Sequence, residues 1–89
     1  MKEAILIKDV SKNFMGTAKV YELNPPMENK IKHVVVSTVV APYSGVETYI
    51  FPSTKTGKVK DWGELEGSMR GTSSHSEVLG NAGYSIKNN

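Results

Sequence analysis

The chain reads as a small α+β domain: a mainly antiparallel sheet of four to five strands with one C-terminal helix packed on it. Three observations carry that reading. Short β-rich runs alternate with proline- and glycine-marked breaks through most of the chain. The densest run, His33 to Ala41, has apolar groups on both faces, which suits a central strand covered on two sides. Helical spacing is clearest near the C-terminus, where Ser74 and Glu77 form a capping-box pattern ahead of Val78, Leu79 and Ala82.

Taken in order, Ala4 to Ile7 is a short strand closed by the polar stretch Lys8 to Asn13. Thr17 to Leu23 sets Val20, Tyr21 and Leu23 against Lys19 and Glu22, as a strand with one wet face does. The two predict a first hairpin. Asn24-Pro25-Pro26 is expected to stop it, because proline lacks an N–H for the ladder and restricts the residue before it. Met27 to Lys32 is expected as a linker or single helical turn. The central strand then turns at Pro42-Tyr43-Ser44-Gly45 into Val46 to Phe51, with Glu47, Tyr49 and Phe51 on one face and Val46, Thr48 and Ile50 on the other.

Pro52 ends that strand. Ser53 to Lys60, with three lysines around Thr56-Gly57, predicts a solvated turn, and Asp61 to Leu65 a turn that lays Trp62 and Leu65 on the sheet. In the closing helix Gly80 costs about 1 kcal/mol relative to alanine, a cost repaid by close packing or simply tolerated. Gly83 is placed to end the helix in a left-handed conformation, and Tyr84-Ser85-Ile86 extends into a short edge strand.

Residues 1–89 make one domain, and a chain of this length buries only roughly 60 to 65% of its unfolded surface. A core that small favours a homo-oligomer. The net charge of +2 is spread along the chain, so only weak, salt-sensitive nucleic-acid binding is expected from Lys55, Lys58 and Lys60, and no specific nucleic-acid partner. Cysteine is absent, which removes disulfides and thiolate nucleophiles. No apolar run reaches the ~18 residues of a membrane span, and the expectation is a soluble, intracellular protein with no membrane partner.

Catalytic signatures fail one by one. Thr56-Gly57-Lys58 resembles the end of a phosphate loop, but Pro52 stands where the first glycine belongs and Val59 where a Ser or Thr belongs. His33 and His75 lie in different elements without metal-ligand spacing, so neither a metal nor a cofactor is assigned. Gly67-Ser68-Met69-Arg70-Gly71 lacks the strand that a nucleophile elbow requires. Asp61, Glu64 and Glu66 read as solvated acids, and no catalytic residue is assigned.

Ligand binding without chemistry is better motivated. Tyr43, Tyr49 and Trp62 offer ring faces, Arg70 a fork of donors, and the turns at Ser44-Gly45 and Gly67-Ser68 backbone amides for an anion; His75 stands beside a helix N-terminus. Tyr43, Ser44, Tyr49, Trp62, Ser68, Arg70 and His75 are therefore the candidate ligand-binding residues for a small anionic, nucleotide-like molecule. The plainer reading puts Trp62 in the core, pairs Arg70 with Glu64 or Glu66 and leaves His75 on the surface.

The run VVVSTVVAPYSGVETYIFP, followed by DWGELEGSMRG and a histidine-containing helix ending NAGYSI, resembles small bacteriophage-encoded proteins of unassigned function. The resemblance covers Val34 to Ile86. It departs from those proteins at Val46, where they tend to have proline, and at Gly80, where they tend to have a longer polar residue. It implies a phage protein acting in the host bacterial cytoplasm, of a kind that inhibits a host process. Such a protein either sequesters a small signalling molecule as a counter-defence or binds a host protein directly; a small hydrolase acting on a nucleotide is a third expectation.

Overall fold

Successive strand residues point to opposite faces of a sheet, yet Val34, Val35 and Val36 are all fully buried. The sheet therefore needs cover on both sides. The computed structural model describes residues 2–14, 16–27, 30–43 and 45–87. It has strands β1 (Glu3–Asp9), β2 (Thr17–Met27), β3 (Ile31–Ala41), β4 (Gly45–Pro52), β5 (Met69–Arg70) and β6 (Ser85–Lys87), with helix α1 (His75–Asn81) before β6 and a 3₁₀ turn at Ser11–Asn13. The strands form one curled sheet in the order β5-β4-β3-β2-β1-β6. Neighbours are antiparallel except β1 and β6, which are parallel.

The α+β class and the C-terminal helix agree with expectation, but among the described residues the sheet has six strands rather than four to five. The extra count comes from short edges. β5 is two residues, Met69 and Arg70 opposite Thr48 and Glu47, too short to show a sequence period. Asn24-Pro25-Pro26 does not end β2 either: the register shifts between Glu22 and Met27, and Met27 pairs with Ile31. Such an irregularity carries prolines past the regular ladder. The expected linker Met27 to Lys32 falls partly on residues 28 and 29, outside the described residues; Met27 itself closes β2 and Ile31 opens β3.

One face of the sheet carries the larger core, in which Tyr21, Leu23, Val34, Val36 and Ile50 pack with Val78 and Leu79 of α1 and with Tyr84. The helix is fastened at both ends. The Ser74 hydroxyl accepts the Glu77 N–H at 3.1 Å. At the other end Gly83, at φ +96°, and Tyr84 donate to the Gly80 and Leu79 carbonyls at 2.9 and 2.8 Å, the Schellman pattern. The opposite face has a smaller core of Val10, Ala18, Val20 and Val35, with Ile7, Phe14 and Val59 at its margin.

The expected turn at Ser53 to Lys60 is solvated on its lysine side alone, because its other side packs on that second core. Ser53 bridges Val59, Thr54 N–H bonds the Lys58 carbonyl at 2.9 Å, and Gly57 lies so close over Val10 and Val20 that a Cβ there would be 2.9 Å from Val10 Cγ1. The lysines are the wet side of a hairpin whose other side is a lid. The 61–68 segment then wraps the β4 edge. Leu65 N–H bonds the Ile50 carbonyl at 2.8 Å and Ile50 N–H bonds Ser68 Oγ at 2.9 Å, which sends Leu65 to the helix-side core.

Two glycines separate tolerance from necessity. Gly80 has open space where a Cβ would go, whereas a Cβ on Gly67, at φ +108°, would lie 2.7 Å from Ala82 Cβ. Gly80→Ala is expected to raise stability by about 0.5 to 1 kcal/mol and Gly67→Ala to lower it by ~1 to 3 kcal/mol, as read by urea denaturation.

Candidate functional site

The face opposite α1 is only partly lidded, and the uncovered part is aromatic. In the β3–β4 register Ser37 lies beside Tyr49, Val39 beside Glu47 and Val35 beside Phe51. These residues share one face. The 3₁₀ turn stands at their edge because Ser11 is tied to its neighbours: its N–H bonds Asp9 Oδ1 at 2.8 Å, and its hydroxyl accepts the Ala18 N–H at 2.9 Å. Lys12, Asn13 and Phe14 follow, and Trp62 descends from the 61–68 segment. Together with Ser37, Val39, Tyr49 and Phe51 they line an open cleft of about 610 Å³, within the range of small-ligand sites.

The rings form a continuous strip. Phe14 and Trp62 have centroids 6.2 Å apart, Trp62 meets Phe51 edge-on at 5.2 Å, and Phe51 lies 6.0 Å from Tyr49. These are ordinary aromatic contacts, but Trp62 remains 67% exposed. The plainer expectation of a core tryptophan does not describe it.

At the Tyr49 end the polar groups are already engaged with one another. The Tyr49 hydroxyl donates to Glu47 Oε1, and Arg70 Nε donates to Glu47 Oε2 at 3.1 Å. Arg70 thus pairs with Glu47, directly across from it in the β4–β5 register, while its side chain stays 68% exposed. The hydrogen bond to Glu47, followed by burial and the Glu47 charge, pushes the Tyr49 phenol above its ordinary pKa, so the phenol stays neutral and keeps the proton it donates to the carboxylate. At the Phe14 end, Lys12 is the cation lining the cleft among the described residues.

Of the sequence-derived candidates, Tyr49 and Trp62 line the cleft and Arg70 stands at its end through Glu47. The others lie elsewhere. Tyr43 is fully exposed, at 102%, on the β3–β4 turn, and Ser44 lies outside the described residues. Ser68 holds the β4 edge, accepting from Ile50 N–H and donating to the Leu65 carbonyl, each at 2.9 Å. His75 is on the helix side. Its Nε2 is 3.1 Å from Thr38 Oγ1 and its Nδ1 3.4 Å from the Tyr21 hydroxyl.

The protons in that helix-side chain can be ordered. The Thr72 carbonyl only accepts, so Thr48 Oγ1 donates to it at 2.6 Å. Thr38 must then donate to Thr48 at 2.8 Å, and His75 Nε2–H must donate to Thr38. Nδ1 is left to accept from Tyr21. A histidine oriented this way offers Thr38 a proton and cannot take one, so the contact is not a base activating a nucleophile. Among the described residues no group of three or more His, Asp or Glu side chains converges on a metal position, and no helix is long and apolar enough to cross a membrane.

Lys12, Asn13, Phe14, Ser37, Val39 and Phe51 were not among the candidates. Phe51 was within reach, since alternation puts it on the Tyr49 face. Lys12 to Phe14 were not, because their position depends on the bonds between Ser11 and Ala18. Comparison with known proteins gives no matching family model, no matching curated protein and no matching solved structure.

Burial, with a smaller contribution from Lys19 and opposition from Asp9, lowers the His75 pKa below 6.5. The unfolded chain therefore binds the extra proton first as pH falls. Stability from this group is fully present above about pH 6.5 and is lost as pH drops from there through the folded value. Denaturation midpoints taken from about pH 7.5 down to about pH 5 should fall. In His75→Gln, which keeps a donor toward Thr38 but does not titrate, that part of the slope should vanish.

Proposed function

We propose that the protein is a non-catalytic bacteriophage binding protein that sequesters a small anionic, nucleotide-like signalling molecule as a counter-defence, with the aromatic cleft as its site. The observation that carries the reading is the exposed Trp62 at the centre of a strip of Phe14, Phe51 and Tyr49, with Lys12 at one end. A ring left two-thirds in water forgoes burial that a stacked ligand ring restores, and stacking on such a ring contributes about 1 to 3 kcal/mol per base. Lys12 supplies the charge for a phosphate, and Asn13 and Ser37 supply hydrogen-bonding groups. Phage origin, host cytoplasm and counter-defence rest on the sequence resemblance.

The hydrolase alternative needs an activated hydroxyl, and the proton order at Thr38 and His75 runs the wrong way for one. A second reading, direct inhibition of a host protein, is favoured by a different observation. Val40 is 79% exposed and Tyr43 wholly so at the β3–β4 turn, apolar groups well placed for a protein contact. The proposal also includes a homo-oligomer, since a second copy seated on the open side of the cleft would complete its enclosure; light scattering gives the stoichiometry.

Titration calorimetry against cyclic nucleotides, ribose-linked nucleotide signals and plain nucleotides tests the main reading. At least one should bind, with Trp62→Ala and Lys12→Ala each weakening it by about tenfold or more and Arg70→Ala by less, because Glu47 already engages that guanidinium. No binding by any of them, together with stoichiometric capture of a host protein that Tyr43→Ser abolishes, would transfer the function to the turn.

A further inference from the structure

The two ends of the cleft differ in charge. Lys12 lines the cleft from the 3₁₀ turn that leads into Phe14. The Tyr49 end has the Glu47 carboxylate, bonded to both Tyr49 and Arg70, and the charge of the exposed Glu64 reaches Tyr49 and Arg70 as well. With Arg70 matched by Glu47, the local balance at this end is negative. A long polyanion is therefore a poor occupant: whatever Lys12 attracts, the Trp62 to Tyr49 half repels.

The rings reinforce that asymmetry. An aromatic face is electron-rich, and tryptophan is the strongest of the natural side chains at holding a cation over its face. A phenol that donates its proton to a carboxylate, as Tyr49 does to Glu47, gains further electron density in its ring. Rings backed by carboxylates suit a ligand whose own ring is positively charged, and a single lysine at the far end suits one phosphate.

We infer that the cleft selects a nucleotide with a cationic heteroaromatic ring, such as an N-alkylated purine or a pyridinium, its ring held along Trp62, Phe51 and Tyr49 and its phosphate directed to Lys12. This rests on the cleft being a nucleotide site and adds which class of nucleotide it takes. The acidic side chains then have a role that a neutral base would not give them. They offset the ring's positive charge, while the stacked aromatics exclude water from its faces.

The experiment compares GMP with N7-methylated GMP by titration calorimetry of the full chain, at mildly acidic pH where the methylated ring keeps its positive charge. The two share the phosphate, ribose and purine frame. N7-methylated GMP should bind about tenfold more tightly. Glu64→Gln, a change at an exposed position, should shrink that preference several-fold, by weakening the hold on N7-methylated GMP and easing the repulsion of GMP. Equal affinities for the two nucleotides would overturn the ring-charge inference and leave the nucleotide site standing. Binding of neither, alongside binding of none of the broader nucleotide set, would remove both.

Discussion

Burial of the sheet on both faces is the constraint on which the rest of the molecule depends. Val35 and Val36 are neighbours in β3, point to opposite sides and are both fully buried. A chain of 89 residues has little with which to cover two faces. Among the described residues one helix covers the first, and a 3₁₀ turn and a glycine hairpin cover part of the second. The second lid reaches Val10, Val20 and Val35 and stops. What lies beyond it on the same face is the half-buried set Val39, Tyr49 and Phe51 around the buried Ser37, and the cleft is that part-covered remainder.

The two faces also divide the polar groups. On the helix side Thr38, Thr48, His75 and Tyr21 satisfy one another in a directed chain that ends on the Thr72 carbonyl. A buried hydroxyl without a partner costs more than its bond would contribute, so this chain belongs to the stability of the fold. On the other side Glu47 joins Tyr49 and Arg70 at the margin of an open surface. That network fixes a ring in place at a position where a ligand can reach it.

Much of the fold was legible because it follows from short-range rules. Proline and glycine bound the β3–β4 hairpin, alternation sorts β4 into its two faces, and Ser74, Glu77 and Gly83 mark the ends of α1. What escaped was set by distant contacts. β5 is too short for a pattern, β2 passes its prolines through a shifted register, and Gly57 is a lid residue only because Val10 and Val20 lie beneath it. The site divides in the same way. Tyr49 and Trp62 drew attention as rings, while Lys12, Asn13 and Phe14 sit in a polar stretch that gains meaning only once Ser11 binds Ala18. Ser68 and His75 carried polar side chains that the fold itself consumes.

We propose that ligand recognition belongs to the part-covered aromatic face. Backbone and indole chemical-shift mapping of the labelled protein during titration with a nucleoside monophosphate locates binding residue by residue. The largest changes should fall on the Trp62 indole N–H and on Lys12, Asn13, Phe14, Tyr49 and Phe51, with α1 and the Val40 to Tyr43 turn unmoved. Changes concentrated at Val40 and Tyr43, or around His75, with the Trp62 signal stationary, would place recognition elsewhere.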